Sequence, residues 1–102
     1  MKKRYIISIS GNTTAQEDEK FSAYLKEKRV SWWHWLTNTW LIVESSGLVD
    51  AKDLRDKAIE IYNGKNNLVL EIPDGGNWFG YGPMTQNKDM FKWIKEYWDE
   101  EK

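Results

Sequence analysis

The chain has 102 residues, no cysteine and a net charge of −1 at pH 7. This length corresponds to one domain, and the lack of cysteine excludes disulfides and thiolate metal sites. The near-neutral charge argues against a general nucleic-acid binder, and no apolar run reaches the ~20 residues of a membrane span. The apolar stretch in the first ten residues, MKKRYIISIS, is too short for a secretory signal, so we expect a cytoplasmic protein.

The first two predicted elements are a strand and a helix. Apolar residues alternate over Arg4–Ser10, which predicts a strand. Thr14 and Glu17 then have the spacing of a capping box, and apolar residues follow at helical spacing. We therefore expect a helix from Ala15 to Lys28.

The stretch VSWWHWLTNTWLIV predicts a β-hairpin. Two segments rich in β-branched and aromatic residues, Val30–Leu36 and Thr39–Ser45, are joined by two residues. Asn38 tolerates the left-handed conformation that such a turn needs. This turn sets four predicted pairs across the hairpin: Leu36 with Thr39, Trp35 with Trp40, Trp33 with Ile42, and Ser31 with Glu44.

The second half of the chain predicts a helix, a strand and a last helix. Asp50 can cap a helix over residues 51–62, which the Asn63-Gly64 pair would end. Leu68–Ile72 reads as a strand, and a glycine-punctuated aromatic loop follows it. The last helix is predicted to begin near Lys88 with Asn87 as its cap. Its expected apolar side consists of Met90, Phe91, Ile94, Tyr97 and Trp98.

The resulting order, β-α-β-β-α-β followed by a helix, is that of the ferredoxin-like fold. We expect an α+β protein with a four-stranded antiparallel sheet, two helices on one face of the sheet and an extra C-terminal helix. The whole chain, residues 1–102, is predicted to form one domain. Residues 74–102 form its aromatic loop and C-terminal helix.

The predicted hairpin pairs divide the sheet residues between two faces. The face under the helices is expected to hold the larger aromatic set: Trp33, Trp35, Trp40 and Ile42, with Tyr5, Ile7, Ile9, Leu68, Leu70 and Ile72. The opposite face would then carry Ile6, Ser8, Trp32, His34, Leu41, Val43, Val69 and Glu71. Because this set is too apolar for a face left in water, we expect something to cover it.

Three alternatives remain for what covers the opposite face. A second copy of the chain is the commonest solution, since two-fold dimers dominate among oligomers. The predicted dimer interface consists of Ile6, Ser8, Trp32, His34, Leu41, Val43 and Val69. The other covers are the chain's own segment from Trp78 to Trp98, or a ligand or foreign protein.

The candidate site residues point to binding more than to catalysis. His34, the only histidine, has no nucleophile or carboxylate placed beside it by the sequence, so no catalytic residue is assigned. One histidine without cysteine gives no recognisable metal site, and the loop Gly75–Gly82 lacks the phosphate-loop pattern. We expect no cofactor. The predicted binding residues are Trp32, His34 and Leu41 on the sheet, with Trp78 and Tyr81 in the loop, where a ring can stack on a base or plug the domain edge.

The hairpin also carries a resemblance to a known family. Trp32-Trp33-His34-Trp35-Leu36 followed by Thr39-Trp40-Leu41-Ile42 resembles small bacterial and phage proteins labelled SinR-like, which are distinct from the helix-turn-helix repressor. The opening YIISI strand, Leu54-Arg55-Asp56, Asn77-Trp78-Phe79-Gly80 and Phe91-Lys92-Trp93-Ile94-Lys95 also fit. The resemblance implies a ferredoxin-like fold, similar in topology to CRISPR-adaptation nucleases and VapD-type ribonucleases.

One departure from those nucleases bears on activity. They carry an aspartate at the end of the first strand, near a dimer axis, where this chain has Ser8-Ile9-Ser10-Gly11. No carboxylate there would hold magnesium at a phosphate, which argues against metal-assisted nuclease chemistry.

The sequence therefore leaves three functional hypotheses. The first is a non-catalytic, homodimeric binding module for a protein partner or a small nucleotide, with nucleic acid less expected and no membrane. The second is a metal-dependent ribonuclease or other phosphodiesterase using Ser8, Ser10, His34 and Glu71. The third is a phage or mobile-element protein that inhibits or sequesters a component of host defence.

Overall fold

The computed structural model describes residues 2–73 and 76–99. The elements in chain order are β1 (Lys3–Ile9), α1 (Ala15–Glu27), β2 (Ser31–Leu36), β3 (Thr39–Glu44), α2 (Ala51–Ile61), β4 (Asn67–Ile72) and a short C-terminal π-helix (Ile94–Trp98). The strands form one antiparallel sheet in the order β2-β3-β1-β4. This is the strand order of the ferredoxin-like fold, so the predicted α+β fold class is confirmed. In the part of the chain that the structure describes, no helix is both long enough and apolar enough to cross a membrane.

Local sequence signals set the ends of both long helices. Thr14 caps α1 in a reciprocal capping box with Glu17, as predicted. Asp50 caps α2 in the same way. Asn63 and Gly64 follow α2 with positive φ angles of 60° and 76°, which ends the helix as expected.

The main core lies between the sheet and the two helices. Its sheet side includes Tyr5, Ile7, Ile9, Trp40 and Ile42, each at most 3% exposed, as the sequence predicted. The helices and adjoining loops contribute Phe21, Leu25, Val30, Val49, Leu54, Ala58 and Tyr62. Burying this many large side chains is what stabilises so small a domain.

The hairpin register differs from the prediction because of a β-bulge. Leu36 pairs with Thr39 as expected, but the register shifts between Trp33 and Leu36, so that Trp33 pairs with Leu41. The predicted pairs of Trp33 with Ile42 and of Ser31 with Glu44 are therefore wrong. An extra residue in a strand turns the following side chains to the other face. Trp32 accordingly packs against the helix-side core, and Trp33 packs on the opposite face.

The predicted orientation of β4 and the exposure predicted for Trp35 are also wrong. Val69 pairs with Ile7 and packs against the helix-side core, whereas Leu68 and Leu70 are 62% and 49% exposed on the opposite face. Both sides of β4 carry apolar residues, so the sequence alternation predicts a strand but does not show which side of the strand faces the helices. Trp35 is 44% exposed instead of buried.

The chain itself covers part of the opposite face. Residues 76–99 lay Met90, Phe91, Ile94 and Trp98 against Trp33 and Val43. Ile6, Leu41, Ile72, Trp78 and Trp93 surround this second cluster. Of the three expected covers, the chain's own C-terminal segment is therefore present over this part.

The C-terminal helix begins later than predicted. Helical structure starts at Lys92, and the Asp89 carboxylate accepts a hydrogen bond from the Phe91 N–H, so Asn87 is not the cap. Lys88 lies in a turn that its N–H closes onto the Thr85 hydroxyl. Tyr97 is 49% exposed and does not belong to the buried side. The predicted extent 74–102 includes residues 74, 75 and 100–102, which lie outside the described residues.

Candidate functional site

A groove rich in tryptophan runs along the edge strand β2. Its volume is about 640 Å³, and it lies between the first turns of α1 and the C-terminal segment. Five of the chain's seven tryptophans line it. The lining residues of this tryptophan groove are Ala15, Asp18, Glu19, Ser22, Trp32, Trp33, His34, Trp35, Trp40 and Trp93.

The groove takes rings from both faces of the sheet at its edge. Trp32 and Trp33 precede the β-bulge and alternate between the two faces, as in a regular strand. The irregularity between Trp33 and Leu36 leaves Trp35 half exposed at the edge, while Trp32 lies on the helix side. Since β2 is an outer strand, the groove lies at the edge of the sheet.

His34 is held in place by contacts on both ring nitrogens. Its ring stacks on Trp40 with centroids 3.8 Å apart and an angle of 6° between the planes. Nδ1 lies 3.1 Å from the Thr39 carbonyl oxygen, which can only accept, so Nδ1 carries a hydrogen. Nε2 lies 3.4 Å from the Asp18 carboxylate. Each ring nitrogen therefore has an oxygen of the chain within 3.4 Å.

Asp18 is the carboxylate that the sequence did not place beside His34. The Tyr62 hydroxyl donates to Asp18 Oδ1 at 2.8 Å, and the Thr13 hydroxyl donates to Oδ2 at 3.4 Å. Burial raises the pKa of Tyr62 strongly, and its hydrogen bond to Asp18 raises it further, so Tyr62 stays a donor. Asp18 thus joins α1, the hairpin and the residue that follows α2.

The charge of the groove is acidic. Its lining includes the carboxylates of Asp18 and Glu19, and no lysine or arginine of the described residues lines it. Carboxylates beside exposed indole faces attract a cation and repel phosphate. The groove is therefore suited to a cationic side chain and poorly suited to a polyanion.

A second cleft, of about 660 Å³, lies between the sheet and the C-terminal segment. Its lining includes Leu41 and Trp78, both predicted binding residues. The Trp78 indole N–H donates to the Asp99 carboxylate at 2.8 and 3.0 Å, and its ring stacks on Phe91. Trp78 thus connects the start of the C-terminal segment to Phe91 and Asp99 of the same segment. Tyr81 lies elsewhere, 99% exposed on the loop.

The predicted binding residues are therefore spread over three places. Trp32 and His34 line the tryptophan groove, Leu41 and Trp78 line the second cleft, and Tyr81 faces solvent. The sequence predicts no role for Asp18, Glu19 and Trp93, which also line the groove, and it assigns Trp33, Trp35 and Trp40 to the core. Asp18, Glu19 and Trp93 lie outside the hairpin, and no local pattern marks them.

The predicted dimer residues do not share one face either. Trp32 and Val69 pack on the helix side, and His34 stacks on the helix-side Trp40, so their assignment to the opposite face is wrong. Ile6, Leu41 and Val43 do lie on that face, where the C-terminal segment covers them. Ser8 is exposed there and exchanges a hydrogen bond with the Thr39 hydroxyl at 3.2 Å.

The residues of the nuclease hypothesis are not brought together. His34 is on β2 and Glu71 on β4, which are opposite edges of the sheet. Three strand spacings separate them, or about 14 Å. Glu71 pairs with the core residue Tyr5 and so faces the helix side, whereas Ser8 faces away from it. Expecting Glu71 on the opposite face was therefore wrong.

Metal binding and relationships to known proteins add no further assignment. Among residues 2–73 and 76–99, no group of three histidine, aspartate or glutamate side chains could hold a metal ion. Comparisons with models of known protein families, with curated proteins and with solved structures find no match. The resemblance to SinR-like proteins stays a prediction.

Proposed function

We propose that this protein is a non-catalytic binding module, and that its tryptophan groove takes a segment of a partner protein bearing lysine or arginine. The observation that carries the proposal is one open groove in which the partly exposed rings of Trp32, Trp35 and Trp93 lie beside the carboxylates of Asp18 and Glu19. Tryptophan is enriched among the residues that contribute most to protein–protein binding.

The chemistry of the groove supports a cationic protein segment over a nucleotide. A guanidinium or ammonium group over an indole gains cation–π attraction of about 0.5–2 kcal/mol, and Asp18 and Glu19 add charge complementarity. A nucleotide could stack on the same rings, but its phosphates would meet these two carboxylates without a balancing lysine or arginine in the groove.

The state of His34 supports a role without catalysis. A general base needs a ring nitrogen free to reach the proton of a substrate. Here Nδ1 is bonded to the Thr39 carbonyl, and Nε2 faces Asp18. His34 therefore shapes the floor of the groove beside Trp40. The cytoplasmic location expected from the sequence stays a prediction.

A selection from a random peptide library tests the proposal. Twelve-residue peptides displayed on phage would be selected on the immobilised protein, and the best would be synthesised and titrated into ¹⁵N-labelled protein. We expect peptides enriched in lysine or arginine, with NMR shifts at the indole N–H signals of Trp32, Trp35 and Trp93. A matched titration with AMP represents the nucleotide alternative.

Two variants make the outcome decisive. Trp35→Ala and Glu19→Lys should each weaken peptide binding at least tenfold, whereas Tyr81→Ala, on a fully exposed ring outside the groove, should leave it unchanged. Peptides without basic residues, shifts that map outside the groove, or groove shifts with AMP but with no selected peptide would each overturn the proposal.

A further inference from the structure

We propose that two copies of this chain associate through the outer edge of β4, joining their sheets into one antiparallel sheet of eight strands centred on Val69. This inference goes beyond the proposed binding function and uses a different surface. The sequence led us to expect a dimer through the sheet face opposite the helices. The C-terminal segment already covers the centre of that face, so we place the dimer contact at the edge of the sheet.

The edge of β4 is open within the described residues. The sheet order leaves β4 bonded only to β1. An outer strand presents a row of unpaired main-chain groups that can pair with another strand. Proteins usually block such edges with proline or lysine, yet the strand sequence NLVLEI contains neither.

The hydrogen-bonding pattern shows which main-chain groups face outward. The Ser10 N–H donates to the Asn66 carbonyl at 2.8 Å, so the pair of Ser10 with Asn66 is hydrogen-bonded. Such pairs recur at every second residue of an antiparallel ladder, which makes Leu68 and Leu70 face β1 with their main-chain groups. The main-chain groups of Asn67, Val69 and Glu71 therefore point away from the sheet.

A two-fold axis at Val69 uses all of these outward groups. Val69 then pairs with Val69 of the second copy, and Asn67 pairs with Glu71 of that copy on either side. Each Leu68 falls opposite Leu70 of the second copy in a non-hydrogen-bonded pair, the arrangement in which side chains approach most closely, at Cα distances of about 4.5 Å.

Burial and charge favour this register. Leu68 and Leu70 are 62% and 49% exposed on one face of the single chain, and the pairing brings four leucines together. The only charge on the strand, Glu71, falls opposite an asparagine and is already 3.7 Å from Lys3 of its own chain. No like charges are opposed. Because a single strand pair makes a small interface, the dimer should depend on concentration.

Light scattering over a concentration series tests the inference. The mean mass of the full chain should rise from one copy at about 10 µM towards two copies at about 1 mM. Leu70→Lys should keep the protein monomeric throughout. Leu48→Lys is the matched control, because Leu48 is 75% exposed in the loop before α2, away from the sheet edge, and should behave as wild type.

A second variant and a second measurement address the main chain directly. Glu71→Pro removes an outward N–H without removing a bond to β1, so it should leave the fold intact by circular dichroism and abolish the dimer. In wild type, the amides of Val69 and Glu71 should exchange hydrogen more slowly at high concentration. If Glu71→Pro fails to fold, this exchange measurement decides.

Any one of three results would overturn the inference. The first is a wild-type chain that stays monomeric up to about 1 mM, and the second is a dimer that Leu70→Lys does not weaken. The third is hydrogen exchange at the amides of positions 69 and 71 that does not change with concentration. A groove variant such as Trp35→Ala should leave the dimer unchanged, so this test is independent of the peptide-binding test.

Discussion

Replacing Glu44 by glutamine should destabilise the protein at neutral pH far more than at acidic pH. Glu44 ends β3 and is only 2% exposed. Its carboxylate accepts hydrogen bonds from the Ser46 hydroxyl and from the Gly47 and Leu48 N–H groups, the last two at 2.8 and 3.3 Å. These bonds fix the loop that leads into α2.

The pH dependence follows from the pKa of Glu44. Burial raises this pKa, but the bonds from the Ser46 side chain and from the Gly47, Leu48 and Val49 N–H groups outweigh burial, so the net pKa lies below the ordinary value of 4.5. The stabilisation by the carboxylate is thus fully present above pH 4.5 and is lost as the pH falls through the lower folded-state pKa.

The expected size of the effect is about 2 kcal/mol at pH 7. Glutamine keeps one oxygen that accepts a hydrogen bond and places an NH2 group, which only donates, where the second carboxylate oxygen accepts. Hydrogen bonds to a charged group contribute roughly 1.5–3 kcal/mol and neutral ones roughly 0.5–1.5 kcal/mol, so the variant weakens the bonds to one oxygen and loses those to the other. A loss of about 2 kcal/mol lowers the Tm of a domain of this size by roughly 8–16 °C.

Thermal unfolding followed by tryptophan fluorescence, in steps from pH 7 to pH 3, measures this effect. The gap in Tm between wild type and Glu44→Gln should narrow as the pH falls. Glu60→Gln is the control, because Glu60 is 70% exposed on α2 and its loss should change Tm little at any pH. Equal stability of Glu44→Gln and wild type at pH 7, or an equal gap at both ends of the range, would refute the reasoning.

Three further changes test how the segments are joined. Trp33→Phe removes the 2.6 Å hydrogen bond from the indole N–H to the Met90 carbonyl. It should lower the free energy of unfolding by about 1–3 kcal/mol in urea titrations and speed proteolysis after residue 76. An unchanged cleavage rate would contradict this expectation. Thr14→Ala removes the N-cap of α1 and should lower the free energy of unfolding by about 1 kcal/mol in urea titrations. An unchanged free energy of unfolding would contradict this. Gly80→Ala adds a Cβ that overlaps the Phe91 ring and should weaken the near-ultraviolet circular dichroism of the C-terminal segment; a wild-type spectrum would show that the loop adapts freely.

Much of the candidate site could not be predicted from the hairpin sequence. The sequence marked Trp32 and His34 as binding residues, and both line the groove. It could not place Asp18 beside His34, because that contact joins residues 16 positions apart in α1 and β2. It likewise grouped Leu41 and Trp78 with them, although the sheet separates these two from His34.

Local signals determined the element order and the caps of both long helices, because strand alternation, helical spacing and capping depend on residues close together in the chain. The element order in turn predicted the ferredoxin-like topology. Only the tertiary structure decided which face each side chain joins. One extra residue in β2 exchanged the sides of Trp32 and Trp33, and β4 has apolar residues on both sides. Such choices depend on which surfaces the helices and the C-terminal segment cover, and that depends on packing between distant parts of the chain.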